Sequence, residues 1–360
     1  AKMVSNLPTV LPEIARQIPM KFDRQSLLRI LESCSAGLNT KDSAEQSSCF
    51  IIQDGMVTTY NGEILCQAAI QNDEGVAFQC YGAVPAKPLV ETLRKSPDEE
   101  LDIRAEESCI TIKGVGRKQR ITMSPDVILD ISEVERPEGF VDLPPVFSEA
   151  LLLAAATTTK DDPNFALNCV AITPKGLQST NKHAALRYLV ATGRSAGTVL
   201  VRGSSLSNIT GLGLAKASYG QEFVWFQTYS GTKVALRLLD SEYPDLTPIF
   251  AEPMVTEFEL PRTVADIVQR AIPFVAENAT GKVVNVRLAD NLLVVEAKNA
   301  MGEFTEEKPM LYEGQKVSFV VNPTSLAELL RSGGPVQVTP SSLRTQGDGY
   351  CLVVSAEVGL

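Results

Sequence analysis

The sequence predicts an α+β protein built from three repeated domains, each with two helices packed on antiparallel sheets. Three observations predict it. A chain of 360 residues has room for roughly two to three domains of ordinary size. One pattern of strand, helix, polar loop and strand–turn–strand recurs at about 115–120 residues, too long for a solenoid period. Within every copy the apolar residues alternate between helical spacing and short β-branched runs.

The first copy opens with KFDRQSLLRILESC, crosses the polar stretch NTKDSAEQSS and reaches CFIIQDGMVTTYNGEILCQAAI. Leu27, Leu28 and Leu31 mark one helix face, with Gln25, Arg29 and Glu32 elsewhere. Its second half, GVAFQCYGAVPAKPLVETLRKSPDEELDIRAEESCITIKG, puts Leu89, Val90 and Leu93 on one face and leaves Lys87, Arg94 and Lys95 exposed. The second copy runs VDLPPVFSEALLLAAATTT, KDDPN and FALNCVAITPKGLQSTNKHAALRYLV, then GTVLVRGSSLSNITGLG and EFVWFQTYSGTKVALRLL. The third runs TEFELPRTVADIVQRAI, PFVAENATGK and VVNVRLADNLLVVEAKNAMGE, with Val264, Ile267, Val268 and Ala271 as its buried helix face. Its second half, GQKVSFVVNPTSLAELLRSGGPVQVTPSSLRTQGDGYCLVVS, repeats that pattern through Leu326, Leu329 and Leu330 beside Arg331. The expected domains are 20–138, 139–256 and 257–360, after an N-terminal extension over 1–19. Pro8, Pro12 and Pro19 interrupt that extension, so it does not read as a secretory signal; a start at Met20 and a family-specific extension are both compatible with it.

Composition narrows the chemistry. No stretch approaches the ~18–20 uninterrupted apolar residues of a membrane helix, so no membrane association is expected. The one histidine, His183, rules out a His-rich metal centre and makes a His-based triad a poor reading. Cys34, Cys49, Cys66, Cys80, Cys109, Cys169 and Cys351 are odd in number and form no C-x-x-C pair. They read as reduced, buried thiols of a cytoplasmic protein, with no cofactor or metal expected. The net charge of −10 does not exclude nucleic acid, because distribution rather than sum governs binding.

That distribution is uneven. The helix faces are richer in Lys and Arg than the chain average, while acidic residues gather in loops such as DEGV, SPDEE and SEVERPE. A solvated mixed-charge face would look much the same. The functional alternative is a basic surface that tracks phosphates without reading bases, through Lys87, Arg94, Lys95, Arg270 and Arg331.

Several segments carry a family resemblance. MKF at 20–22 precedes a Leu-Leu helix; FALNCVAI resembles a Y-L-N-G strand; STNKHAA resembles a T-D-G-H-R-L turn. LLDSEYPDLTPIF resembles an L-(V/I)-D-G-x-(F/Y)-P-D-Y loop, and VNPTSLAELL a third-domain helix. Together with the three-domain order, these resemble the bacterial sliding clamp, the β subunit of the replicative DNA polymerase III, over residues 20–360. The resemblance implies a non-catalytic processivity factor in DNA replication, a head-to-tail homodimer closed as a ring around duplex DNA. Its implied partners are the replicative DNA polymerase and the clamp loader.

By position, the resemblance adds Lys41, Lys160, Asn164 and Arg202 to the DNA-facing set, Arg202 standing where the family has V-P-R-K. It implies a peptide cleft at Leu167, Thr180, Lys182, His183, Ala184, Ala185, Pro244, Ile249, Val353, Val354, Ser355 and Ala356. There the chain departs from the family: Lys182 replaces a Gly, Ala184 an Arg, Ala185 a Leu, and SAEVGL a Met-Pro-Met-Arg-Leu ending. A smaller or reshaped groove is expected, one able to hold a linear peptide. Ile121 and Met123 on an edge strand, with Ile272 and Phe274 after a third-domain helix, are the expected ring contacts.

Catalytic readings fare worse. Cys169 and His183 lack an orienting third residue, Asp161–Asp162 is a lone acidic pair, and GLGLAK follows a helix and lacks the third glycine of a dinucleotide loop. The rival from another class is a scaffold that keeps the fold but no longer encircles DNA.

Overall fold

The computed structural model describes residues 19–39, 46–261, 263–278, 281–312 and 314–359. Its element order repeats one β-α-β-β-β theme. The first round is β1 (Met20–Asp23), α1 (Arg24–Ser33), β2 (Cys49–Gln53), β3 (Met56–Tyr60) and β4 (Ile64–Ala69). The second is β5 (Gly82–Pro85), α2 (Ala86–Lys95), β6 (Glu100–Ala105), β7 (Cys109–Gly114) and β8 (Arg117–Thr122). The third is β9 (Val141–Asp142), α3 (Phe147–Ala156), β10 (Cys169–Thr173), β11 (Gly176–Thr180) and β12 (Ala184–Leu189). The fourth is β13 (Val199–Arg202), α4 (Gly203–Ser207), β14 (Leu214–Tyr219), β15 (Phe223–Thr228) and β16 (Lys233–Leu239), followed by a connector with α5 (Thr247–Ala251). The fifth is β17 (Thr256–Phe258), α6 (Thr263–Ala271), the short β18 (Ala276–Asn278), β19 (Gly281–Ala289), β20 (Leu292–Asn299) and β21 (Gly302–Pro309). The last is β22 (Val317–Val321), α7 (Pro323–Ser332), β23 (Val336–Val338), β24 (Ser342–Gln346) and β25 (Tyr350–Gly359).

Local chemistry sets many of these boundaries. Asp23 caps α1 by accepting from the Ser26 amide at 2.6 Å, and Asn322 caps α7 ahead of Pro323 in the first turn. Arg94 and Lys95 suit the carbonyl end of α2. The Asp54–Gly55 and Asp290–Asn291 pairs take positive φ at both positions, as a two-residue hairpin requires.

The chain forms two compact units, Ala1–Pro145 with Asn208–Leu238 and Val146–Ser207 with Leu239–Leu360. In the first, one sheet runs β1-β6-β7-β8 and leaves β8 as an edge. The other runs β5-β2-β3-β4-β16-β15-β14-β9, so first-copy strands meet middle-copy strands through Ile64↔Leu236 and Leu65↔Ala235. The segment 129–140 straps this junction. Its Leu129, Ile131, Val134 and Phe140 pack on Tyr60, Leu65, Phe223, Trp225 and Ala235. Trp225 Nε1 donates to the Glu135 carbonyl at 2.8 Å, and the Glu135 carboxylate accepts from the Glu222 and Phe223 amides. Arg237 pairs with Glu133 at 2.7 Å and donates to the Tyr60 hydroxyl, which itself donates to Glu133.

The second unit repeats this plan. One sheet runs β13-β10-β11-β12-β25-β24-β23-β17, the other β21-β20-β19-β22-β25. β25 serves both: Tyr350 to Ser355 pair within the first, and Ala356 to Gly359 with β22 in the second. Here the connector's Tyr243, Leu246 and Phe250 pack on Ala185, Cys351 and Val353, and Arg187 lies 4.6 Å above the Phe250 ring. Helices α1 and α2 pair in the first unit; α3 pairs with α4, and α6 with α7, in the second. The described cysteines are all free thiols. Among the described residues no helix is long and apolar enough to cross a membrane.

Candidate partner cleft and nucleic-acid interface

The cleft forms in the second unit where the turn before β12 meets β25 and the connector. Asn181 shapes that turn, its side-chain oxygen accepting from the His183 and Ala184 amides at 3.1 and 2.8 Å. The first copy has the same device, Asn61 accepting from Glu63 and Ile64. Between Asn61 and Glu63 stands Gly62 with φ of +92°; the corresponding Lys182 takes φ of +74°, a conformation that favours glycine. Its ammonium reaches Asp162 at 2.5 Å. That contact, with the Asn164 amide, holds the Asp162 carboxyl below its ordinary range.

Thr180, Lys182, His183, Ala184, Ala185, Ile249, Val353 and Ser355 line a cavity of about 160 Å³. These are expected cleft residues. Leu167, Val354 and Ala356 are buried and do not line it. β25 alternates, so Val353 and Ser355 share one face while Val354 and Ala356 turn to the other. Pro244 is half-buried in the connector.

Glu252, Ser341 and Ser342 complete the lining, and sequence reasoning did not find them. Ser341 Oγ donates to Glu252 Oε1 at 2.6 Å and Thr339 Oγ1 to Oε2 at 2.5 Å. These hydroxyl donors hold the Glu252 carboxyl below its ordinary range, so it is ionised near neutrality. No local motif signals this: the partners lie almost ninety residues apart and meet only in the folded connector.

Of the expected DNA-facing residues, Lys41 lies outside the described residues. Lys87, Arg94 and Lys95 are exposed on α2. Lys160, Asn164 and Arg202 gather at one end of the α3–α4 pair: Arg202 pairs across from Cys169, and a Cβ on Gly203 would meet Thr158. Arg270 and Arg331 are exposed on the packed pair α6 and α7. Arg94 pairs with Glu32, Lys95 with Glu91 and Arg270 with Glu306. Among the described residues Lys87, Lys160 and Arg331 make no ion pair. Arg29 is a further exposed cation on α1, where it donates to Ser26. The outer face of α3 offers Glu149, Leu152 and Ala156 and no cation.

The expected ring contacts fall on or beside two edge strands. Ile121 and Met123 lie at the end of β8, but the pleat turns both side chains into the core, Met123 against Cys80. What β8 exposes is Arg117, Lys118, Gln119 and Arg120. Ile272 is exposed, and Phe274 stacks on Phe304 of the edge strand β21, which carries Glu303, Glu306 and Glu307.

No protein-family model and no curated protein matches this sequence. Solved structures do. A DnaN sliding clamp (DNA polymerase III subunit beta) from Pseudomonas aeruginosa, bound to griselimycin, matches at TM-score 0.80 with 16% identity. The DNA polymerase III β subunit from Thermotoga maritima matches at 0.79 and 16%, and a putative one from Eubacterium rectale at 0.78 and 16%. Each match covers 94% of this chain and 99% of the other. The chain therefore has the sliding-clamp fold.

Proposed function

We propose that this protein is a DNA sliding clamp, a non-catalytic processivity factor that closes around duplex DNA as a head-to-tail dimer. The observation that carries the reading is the clamp fold itself, matched over 94% of this chain and 99% of the clamps compared. Three copies, at 20–138, 139–256 and 257–360, contribute two helices each to a DNA-facing surface bearing Lys41, Lys87, Arg94, Lys95, Lys160, Asn164, Arg202, Arg270 and Arg331. The cleft beside His183 takes a short peptide from the replicative DNA polymerase, the clamp loader or another DNA-processing protein. The setting is the cytoplasm.

The unpaired edges support the dimer. β8 presents Arg117, Lys118 and Arg120, while β21 presents Glu303, Glu306 and Glu307. Arg117, Arg120, Glu303 and Glu306 already hold partners within the chain. What favours one strand adding to the other is the pair of free backbone edges, with Lys118 and Glu307 as opposite charges and Ile272 and Phe274 packing alongside. A heterologous contact of this kind that closes gives a finite ring. Topological linkage then holds DNA without tight binding, which suits a chain of net charge −10.

One observation favours a second reading, a clamp-derived scaffold that does not encircle DNA: three helix cations are already ion-paired and α3 offers none. Negative-stain microscopy of the protein without DNA separates the two. Two-chain rings with a hole wide enough for a duplex are expected. Isolated crescents at micromolar protein would overturn the ring and leave the scaffold.

A further inference from the structure

The cleft's charges do not cancel. Lys182 is paired with Asp162 at 2.5 Å. Glu252 is held by the Ser341 and Thr339 hydroxyls, which fix its position without offsetting its charge. Among the described residues no cation forms an ion pair with it. Two arginines stand nearby and keep their charge, but neither forms an ion pair with the carboxylate. Arg344 donates through Nη1 to the Glu252 backbone carbonyl at 3.0 Å and through Nε to Gln337, and Arg187 covers Phe250. The connector delivering Glu252 adds Asp240, Glu242 and Asp245, all exposed, with no Lys or Arg from 240 to 252. The apolar wall is made of Ala184, Ala185, Ile249 and Val353, and the cavity of about 160 Å³ is small.

We propose that Glu252 is a specificity-determining residue of the cleft, selecting peptides that seat one Lys or Arg side chain against its carboxylate beside a small or branched apolar residue. This rests on the reading of the cleft as a peptide site. A fixed anion with no ion-pair partner, in a confined space, favours a cationic group through a charge-assisted contact and disfavours an acidic one. Because the hydroxyls orient the carboxylate beforehand, little ordering is left to the moment of binding.

Selection of random phage-displayed heptapeptides on the immobilised full chain tests this, using wild type, Glu252→Gln and Ser355→Trp. Ser355 is exposed and lines the cleft, so tryptophan there fills the space without entering the core. Thermal melting checks that both variants fold. Enriched peptides are synthesised with a fluorophore and titrated by polarisation. The expected result is a basic residue at one fixed position, binding at least tenfold weaker to Glu252→Gln, and loss of binding to Ser355→Trp. Enriched peptides without a basic residue, or with equal affinity for Glu252→Gln, overturn the role of Glu252 and leave the cleft as a peptide site. If no peptide enriches, or binding ignores Ser355→Trp, the cleft reading fails and the role of Glu252 fails with it.

Discussion

Arg94 in the last turn of α2 donates through Nε and Nη2 to one oxygen of Glu32, at 3.0 and 2.7 Å, bridging the ends of α1 and α2. Arg270 and Glu306 form a second such pair in the third copy, between α6 and the strand β21, where Nε and Nη2 each take a separate carboxylate oxygen. Both pairs are solvent-exposed, so they add little to stability. If these helices face DNA as proposed, the consequence is for the ligand, because each pair occupies a cation that could otherwise meet a phosphate.

Glu32→Gln should therefore strengthen binding to duplex DNA. Freeing one arginine adds about one phosphate contact, which steepens the log–log salt dependence by about 0.9. Anisotropy of a labelled duplex across a salt series reads both effects. An unchanged slope would mean that Arg94 does not face DNA.

The strap over the first junction should carry a pH signature. Hydrogen bonds from Tyr60 and Arg237 hold the Glu133 carboxyl below its ordinary 4.5. The stabilisation is full above that ordinary value and is lost as pH falls through the depressed one. Burial and Glu133 push the Tyr60 hydroxyl up to about 12, so stability also declines as pH rises above 10. Melting temperature against pH should show Glu133→Gln closing its gap to wild type under acid; a constant gap would place the effect elsewhere.

Leu65→Ala should destabilise the first unit by about 2–5 kcal/mol, the usual cost of truncating a buried leucine. Leu65 is 1% exposed and shares a cluster with Trp225, the only tryptophan. Denaturant titration followed by Trp225 emission reads the loss at the site of the cavity.

Lys182→Gly should leave stability within about 1 kcal/mol of wild type, because relief of the left-handed backbone offsets loss of an ion pair whose lysine is exposed. The Asp162 carboxyl should rise towards its ordinary value once the ammonium is gone. Melting and a carboxyl NMR titration check the two halves separately.

The helices were legible because their apolar stripes follow period 3.6: Leu27, Leu31, Leu89, Leu93, Val264, Ile267, Leu326 and Leu329 are all buried. Leu28 and Val90, at the margins of their stripes, are only half-buried. α3 was not readable in this way. Its run of leucines and alanines has no polar face to contrast with, and Leu152 ends 51% exposed. The cleft divides similarly. Its contiguous turn, Thr180 to Ala185, lies in one short segment, whereas Glu252 meets Ser341 only through the folded connector. On β25 and β8 the missing information was the phase of the pleat, which decides whether Val354, Met123 and their neighbours face in or out.

β25 acts as one ruler for two sheets. Val353 and Ser355 set the cleft wall, and the next four residues of the same strand, Ala356 to Gly359, set the register of β22. An insertion or deletion within Tyr350–Ser355 would put the cleft segment out of phase with the β22 segment that follows it and exchange inward and outward faces in one of the two. The cleft can therefore change its ligand preference by substitution, as at Ala184, Ala185 or Ser355, but not by a change of length in that strand. Adaptation of partner choice is thereby channelled into side chains and into the connector that brings Glu252, where a change of length leaves the β25 register alone.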